Sequence, residues 1–280
     1  MTSPFDFDDA DVLLRADSPH ADLSQNAPDA DIFRVHRCIL STASPFFRTM
    51  FSLPQPVASC PDIPVIAVTE SGATLEALLR FIYPVADPPI ETLDQLSLVL
   101  NAARKYELDF VVEALRKLLV SPRYLRAWPL RVYAIATRHD LEEEARIAST
   151  ATLAINILDC PLHEDLKSIS AYSYHRLLQL HKQRAEAATK LLEIHDDVKC
   201  MLCNGTRYGT FTPPRWWPDF QQRARAELRL RPTTDVVFSM QFLAQSAVQA
   251  GCERCAGSIL AAHWFFAQLK DQIDSLPATI

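Results

Sequence analysis

The pattern of apolar residues changes along the chain, and this change constrains the fold more than any other feature. Three short runs near the N-terminus, residues 10–16 (ADVLLRA), 31–37 (DIFRVHR) and 63–68 (IPVIAV), are rich in β-branched or alternating apolar residues, which is typical of strands. Beyond residue 120, apolar residues recur mainly at the 3.6-residue spacing of a buried helix face. We therefore predict an α+β region with short strands, followed by an all-α region.

The first region also contains helical patterns with clear start signals. Residues 38–51 have helical spacing that Pro45 interrupts, which predicts two short helices or one helix with a break. A later apolar stripe predicts a buried helix face, with Thr69 or Ser71 as its N-cap. Thr92 and Asp109 are the predicted N-caps of two further helices. The residues of the stripe are Leu75, Leu78, Leu79 and Ile82.

The dipeptide Ser121-Pro122 marks the best candidate for a domain boundary. We predict an N-terminal domain at residues 9–120 and an all-helical C-terminal domain at residues 121–280. Residues 170–199 have the pattern of one long helix. Residues 204–218 are predicted to be a loop rich in proline, glycine and aromatic residues, whose tryptophans either pack onto the helices, the favoured alternative, or form a recognition surface.

Charge and hydropathy argue against two classes of partner. The formal net charge is −6 and no long block of lysine or arginine occurs, whereas nucleic-acid binding depends largely on neutralising phosphates. The basic run Arg223, Arg225, Arg229 and Arg231 is interrupted by Glu227, which favours a solvated helix face. No apolar run reaches the length of a membrane span, and the acidic start resembles no signal peptide. We expect a cytoplasmic or nuclear protein with reduced thiols.

Several segments, in their order along the chain, resemble the BTB (POZ) domain family. They comprise Asp11-Val12, then His36-Arg37 leading into a helix with Leu40, Ser44, Phe46 and Phe47, then Phe81-Ile82-Tyr83, and finally Tyr106. The resemblance covers residues 9 to 120. The helical remainder resembles the C-terminal region of BTB proteins that occur in many copies in mushroom-forming fungi.

The resemblance implies a non-enzymatic protein–protein interaction module that self-associates or recruits a partner. It implies that His36 is structural and bonded at the end of a strand, although this stretch also carries Cys38 and Ser41, residue types used in nucleophilic catalysis. It also implies a charged pocket formed by Asp11 and Arg37, which some members use for contacts at the dimer groove.

Two known partner modes of BTB domains can be compared with this chain. Dimers of the transcription-factor and kelch types use a helix before the first strand, but Pro4 and four aspartates in residues 4–11 argue against a helix there. Adaptors of cullin-3 ubiquitin ligases carry a hydrophobic-x-Glu motif in the helix before Phe81. Leu75 fits its hydrophobic position, but Ala77 stands at the glutamate position and Glu76 is one place off. A cullin-3 substrate adaptor is therefore the alternative function.

Two CxxC pairs lie in the C-terminal region. Cys200 and Cys203, with Cys252 and Cys255, supply the four thiolates that a tetrahedral structural zinc requires. Such a site is closed, so the zinc would be structural. The alternatives are unligated buried cysteines, and a redox dithiol, which usually occurs in a βαβ setting.

An enzyme is the alternative from a different class. It would require an open metal site or a Cys–His pair in a cleft. The sequence contains no P-loop, dinucleotide, HExxH or GxSxG motif. We therefore predict no enzymatic activity.

Overall fold

The computed structural model describes residues 4–17, 31–53, 63–198, 200, 212–251 and 253–280, without the side chains of residues 253–256. The chain divides into two compact units, Met1–Ser121 and Pro122–Ile280. None of the helices in these ranges is both long and apolar enough to span a bilayer.

The first unit contains a three-stranded sheet in the order β2-β1-β3. Its strands are β1 (Val12–Arg15), β2 (Ile32–Val35) and β3 (Val65–Ala67). β1 pairs antiparallel with β2 and parallel with β3. Val12 and Leu14 are fully buried whereas Arg15 is exposed, as the two-residue period of a strand requires. The predicted strands are therefore confirmed, each a little shorter than its apolar run.

The described part of this unit also contains five helices: α1 (Arg37–Ala43), α2 (Pro45–Ser52), α3 (Gly72–Ile82), α4 (Leu93–Lys105) and α5 (Asp109–Leu119). The predicted break at Pro45 is confirmed, because α1 ends and α2 begins on either side of Ser44. The buried Ser44 hydroxyl accepts from the amide of Phe47, 3.1 Å away, and donates to the carbonyl of Tyr106 at 2.6 Å. One serine therefore caps α2 and ties it to the end of α4.

Two of the predicted caps are confirmed and one is wrong. Ser71 caps α3, and Thr92 caps α4 through a reciprocal pair of hydrogen bonds with Gln95. The cap residue of α5 is Leu108. Asp109 is instead the first helical residue, where its negative charge still lies at the positive end of the helix dipole.

In the part of the second unit that the structure describes, every regular element is a helix. Its elements are α6 (Pro122–Ala127), α7 (Pro129–Arg138), α8 (Glu142–Thr152), a 3₁₀ turn (Glu164–Ser168), α9 (Ala171–Lys190), α10 (Trp216–Leu230), α11 (Met240–Gln249), α12 (Glu253–Ala261) and α13 (His263–Asp274). One long helix was predicted over residues 170–199. Its predicted C-terminal end is wrong, because α9 ends at Lys190.

An aromatic cluster forms much of the core of the second unit. Trp216 is fully buried, packs against Trp217 and Phe266, and donates from Nε1 to the hydroxyl of Ser258 at 2.9 Å. The prediction that these tryptophans pack onto the helices is therefore confirmed. Their assignment to a loop is wrong, because both residues lie in the first turn of α10.

A buried arginine joins distant segments of the same unit. Arg184 of α9 donates to the carbonyls of Pro232 at 2.9 Å, Ile273 at 3.0 Å and Pro277 at 3.0 Å, and also to that of Leu276. Ile273 lies in the last turn of α13, whose carbonyls have no partners within the helix. The guanidinium therefore caps α13 and fixes the chain that follows it.

Candidate interaction site of the N-terminal unit

The joint between β2 and α1 is held by His36. Its main-chain amide donates to the hydroxyl of Tyr83 at 2.8 Å, and its ring atom Nδ1 lies 3.3 Å from the same oxygen. The other ring nitrogen, Nε2, lies 3.1 Å from Oδ1 of Asp9. Neither Cys38 nor Ser41 is hydrogen-bonded to the ring. The contacts of His36 are those of a structural residue at the end of a strand.

The environment fixes the charge state of both partners of His36. Burial is the main cause that raises the pKa of Tyr83 to about 12, so the phenol keeps its proton at neutral pH. The hydrogen bond with His36 lowers the pKa of Asp9, which therefore stays ionised. Tyr83 belongs to the segment Phe81-Ile82-Tyr83, one of those that resemble the BTB family.

Part of the segment before β1 closes one edge of the sheet. Asp6 forms a parallel bridge with Arg34 of β2, whose amide donates to the carbonyl of Phe5 at 2.9 Å. Phe5 is fully buried, and its ring packs against those of Phe33 and Tyr83. Residues 4–11 contain no helix, as their proline and aspartates predicted. Covering β2 in this way reduces the number of unpaired edge groups.

Asp11 and Arg37 meet, but not as the predicted pair of opposite charges. The Asp11 carboxylate accepts from the main-chain amide of Arg37 at 2.7 Å, at the first residue of α1. The Arg37 guanidinium instead lies over the ring of Phe51, 5.5 Å from its centroid. Its Nε is buried without a hydrogen-bond partner among the described residues. The contact is therefore a helix-start bond rather than a charged pocket.

The predicted burial of Leu75 in the apolar stripe of α3 is confirmed, and this burial bears on its match to the cullin-3 motif. Its side chain is only 1% exposed and lies in the core with Leu78 and Leu79 of the same helix. Because Leu75 and Ala77 are about 200° apart around the helix axis, the more accessible side of α3 presents Ala73 and Ala77 instead. A partner that approaches α3 in this structure meets alanines and not Leu75.

The accessible side of α3 lines a groove shared with α4, which we call the α3–α4 groove. Its volume is about 260 Å³, and its lining includes Ala73, Ala77, Leu98 and the segment Pro88–Ile90. Leu98 is 54% exposed although its neighbours in α4 are buried. Sequence reasoning missed Leu98. Helical periodicity places this residue outside the buried face of α4 but does not distinguish a groove residue from any other exposed one.

Comparison with known proteins decides the family of this unit. Residues 14–122 match the family model of the BTB/POZ domain. The N-terminal unit is a BTB/POZ domain. No curated protein matches the chain. The match includes α1–α5 and most of the sheet, so the α3–α4 groove lies entirely within the BTB/POZ domain.

A second polar cluster stabilises the BTB/POZ domain beside the groove. Glu70, just before α3, accepts from Nζ of Lys105 at 2.7 Å and from the hydroxyl of Tyr106. Burial acts to raise the pKa of Glu70, but these hydrogen bonds outweigh it and the pKa is lowered. Burial and the Glu70 carboxylate both raise the pKa of Tyr106. The cluster therefore joins the start of α3 to the end of α4, the two walls of the groove.

The predicted zinc ligands lie largely outside the described residues. Cys203 and Cys252 are not described, and for Cys255 only the backbone is described, within α12. Cys200 is buried in the same apolar cluster as Ile259 of α12. Within the ranges that are described, no group of three or more metal-binding side chains comes together.

Proposed function

We propose that this protein is a non-enzymatic adaptor whose BTB/POZ domain recruits a protein partner through the α3–α4 groove. BTB/POZ domains are protein–protein interaction modules, and this supports the general function. The observation that supports the location is the exposure of Leu98 on the wall of an apolar groove. His36, Cys38 and Ser41 are residue types used in nucleophilic catalysis. The contacts of His36 with Tyr83 and Asp9 support a structural role for this histidine instead.

The chemistry of the groove favours an apolar side chain from the partner. Ala73, Ala77 and Leu98 give the walls, and the charges at the edge are paired: Glu76 accepts two hydrogen bonds from Arg80, at 3.0 and 2.8 Å. A ligand therefore meets little uncompensated charge. Burial of the exposed half of Leu98 by a partner contributes ~1 kcal/mol to the free energy of binding. This is a substantial share of the total for a partner of modest affinity.

A cullin-3 adaptor is the alternative function of the same domain. The structure gives it less support than recruitment of another partner, because Leu75 is buried and Ala77 presents no carboxylate where the motif has one. The nearest carboxylate, that of Glu76, is already bound by Arg80. Self-association through the groove is the other alternative.

A pair of exposed apolar residues allows a matched test. Leu98→Glu changes the groove, whereas Phe110→Glu changes a residue of α5 that is 47% exposed and does not line the groove. We expect the full-length Phe110→Glu protein to retain the partners captured by the unchanged protein, and Leu98→Glu to lose them. Purified cullin-3 is tested as a defined partner, and light scattering measures self-association.

The outcomes separate the alternatives. Loss of self-association in Leu98→Glu alone would change the proposal to a dimer, and binding of cullin-3 at micromolar concentration would change it to a ligase adaptor. Partners that bind all three proteins equally would contradict a role for the groove.

We also propose that Cys200, Cys203, Cys252 and Cys255 hold one structural zinc ion. The support is the ligand number and type, together with the burial of Cys200 in the cluster that includes Ile259 of α12, the helix that carries Cys255. We expect about one zinc per chain by elemental analysis of purified protein, and much less in Cys255→Ser. Cys160→Ser, at a cysteine outside both pairs, is the control. A zinc content near zero in the unchanged protein would contradict the proposal.

A further inference from the structure

The helical unit contains a larger cavity that the BTB/POZ function does not use. It lies between α9, the end of α10 and the loop after α8, and its volume is about 520 Å³. This is within the range of pockets that bind ligands, about 300–1,000 Å³. We call it the α9–α10 pocket.

Two leucines on its border are unusually exposed. Leu158, in the loop after α8, is 75% exposed, and Leu230, at the end of α10, is 50% exposed. The apolar lining continues inside the pocket with Leu178 and Ala185 of α9. A single exposed leucine is ordinary on a protein surface, but two that border one concave surface indicate a contact area.

The charges of the pocket are predominantly positive. Lys182 of α9 and Arg229 of α10 line it, together with one carboxylate, Glu186. In the part of the chain that the structure describes, neither Lys182 nor Arg229 forms an ion pair or a side-chain hydrogen bond. The other arginines near them differ: Arg231 is paired with Glu227, and Arg184 binds carbonyls. Two cations are therefore available to a ligand, on a chain whose formal net charge is −6.

The histidine in the pocket adds no charge at neutral pH. His181 is buried, with Nε2 at 3.1 Å from the hydroxyl of Thr152. That hydroxyl donates its hydrogen to the carbonyl of Ser149 at 2.6 Å, so Nε2 carries the proton and donates to it. Burial lowers the pKa of His181 to about 4. The positive charge of the pocket therefore comes from Lys182 and Arg229.

We propose that the α9–α10 pocket binds a short acidic segment of another protein. One apolar side chain of that segment enters between Leu158 and Leu230, and carboxylates beside it lie near Lys182 and Arg229. A small ligand inside the pocket would leave much of both leucines exposed, whereas a protein surface covers them as it binds. The apolar lining distinguishes the site from one that tracks the phosphates of a nucleic acid, which depends mainly on positive charge.

Fluorescence polarisation on the full-length protein tests this proposal. The probes are labelled twelve-residue peptides with a central Leu, Phe or Trp flanked by Asp and Glu, and two comparison sets with flanking Lys and Arg or with a central Ser. We expect the acidic apolar set alone to bind, with an affinity that falls as salt rises from 50 to 500 mM because exposed ion pairs are screened.

Matched variants locate the binding. Lys182→Glu combined with Arg229→Glu should weaken it roughly tenfold or more, since like charges then face each other. Lys117→Glu with Arg126→Glu, at exposed cations outside the pocket, should not. Leu158→Ser should weaken binding, and Leu162→Ser is its control, because Leu162 is 89% exposed in the same loop but does not line the pocket.

Three results would overturn the proposal. One is that no peptide of the acidic apolar set binds with a dissociation constant below about 1 mM, a free energy of about −4 kcal/mol. Another is binding that the pocket variants and their controls affect equally. The third is that decanoate protects the pocket in hydrogen exchange while the peptides do not, which would identify a small-molecule site instead.

Discussion

The two units of this protein obtain their order in different ways. In the BTB/POZ domain, single polar side chains hold the joints between short elements: Ser44 joins α2 to α4, and His36 joins β2 to the residue after α3. In the helical unit, an aromatic cluster and one buried arginine, Arg184, join elements far apart in the chain. The comparison shows that buried polar side chains join elements in both units, and that in the helical unit a shared aromatic core adds to them.

The units can also be observed separately. All four tryptophans, Trp128, Trp216, Trp217 and Trp264, lie in the helical unit. Tryptophan fluorescence during unfolding therefore reports that unit, and amide hydrogen exchange resolved by peptide reports the BTB/POZ domain. Each prediction below is measured in the unit that carries the change.

The largest expected effect comes from the aromatic cluster. Trp216→Ala removes a fully buried ring and its bond to Ser258, so we expect it to lower the free energy of unfolding of the helical unit by ~4 kcal/mol. Trp264→Ala, at a ring that is 37% exposed, should cost less than ~2 kcal/mol. Urea unfolding followed by tryptophan fluorescence measures both. Equal losses in the two variants would contradict the central position of Trp216.

A substitution of Arg184 tests whether this one side chain holds the C-terminal segment after α13 in place. Arg184→Met keeps the length of the side chain but leaves the carbonyl of Pro232 without its donor, and leaves the carbonyl of Ile273 with the amide of Leu276 alone. We expect a loss of ~3 kcal/mol, because hydrogen bonds from a charged buried donor are removed. Hydrogen exchange should rise at residues 273–280. Lys182→Met on the exposed side of the same helix is the control, and an equally large effect there would contradict the account.

His181 predicts a pH dependence of the helical unit. Because burial lowers its pKa from 6.5 to about 4, the unfolded chain binds a proton between these values that the folded chain does not. The stability present above pH 6.5 should therefore fall as the pH decreases toward 4, by roughly 2 kcal/mol at pH 5.

The variant His181→Gln isolates this contribution. It keeps a donor for Thr152 but does not titrate, so it should lose less stability than the unchanged protein between pH 7 and pH 5. Urea unfolding at the two pH values measures the difference. The same loss in both proteins would assign the pH dependence to groups other than His181.

The smallest expected effect lies in the BTB/POZ domain. Ser44→Ala removes the cap of α2 and leaves the carbonyl of Tyr106 without its donor, so we expect a loss of ~1–2 kcal/mol. Faster hydrogen exchange in α2 and at the end of α4 measures it. Ser52→Ala, at an exposed serine that bonds only within its own turn, is the control. An unchanged exchange rate in Ser44→Ala would mean that the joint does not depend on this hydroxyl.

The sequence predicted the local features of the fold well. The three strands, the break at Pro45 and the caps Ser71 and Thr92 follow from patterns within a few residues. The BTB/POZ assignment follows from such features in a fixed order. The resemblance of the helical unit to fungal BTB proteins stays a prediction, as does the zinc site.

Features that depend on distant contacts were not predictable in the same way. The role of Arg184 depends on carbonyls near residues 232 and 273–277, which no local pattern reveals. Asp11 and Arg37 were predicted to meet, but whether a carboxylate binds an amide or a guanidinium depends on side-chain geometry. Both proposed binding surfaces, the groove and the pocket, include exposed leucines that no periodic pattern marks as contact residues.

Photo-crosslinking from position 98 tests the central claim, that the α3–α4 groove recruits a partner. A photoreactive amino acid is placed at position 98 of the full-length protein, and at position 110 as the control. We predict that one partner protein is crosslinked from position 98 and not from position 110. Adding the protein without the photoreactive residue should reduce this crosslink by competition, whereas adding its Leu98→Glu variant should not. The same products from both positions, or none from position 98, would contradict the claim.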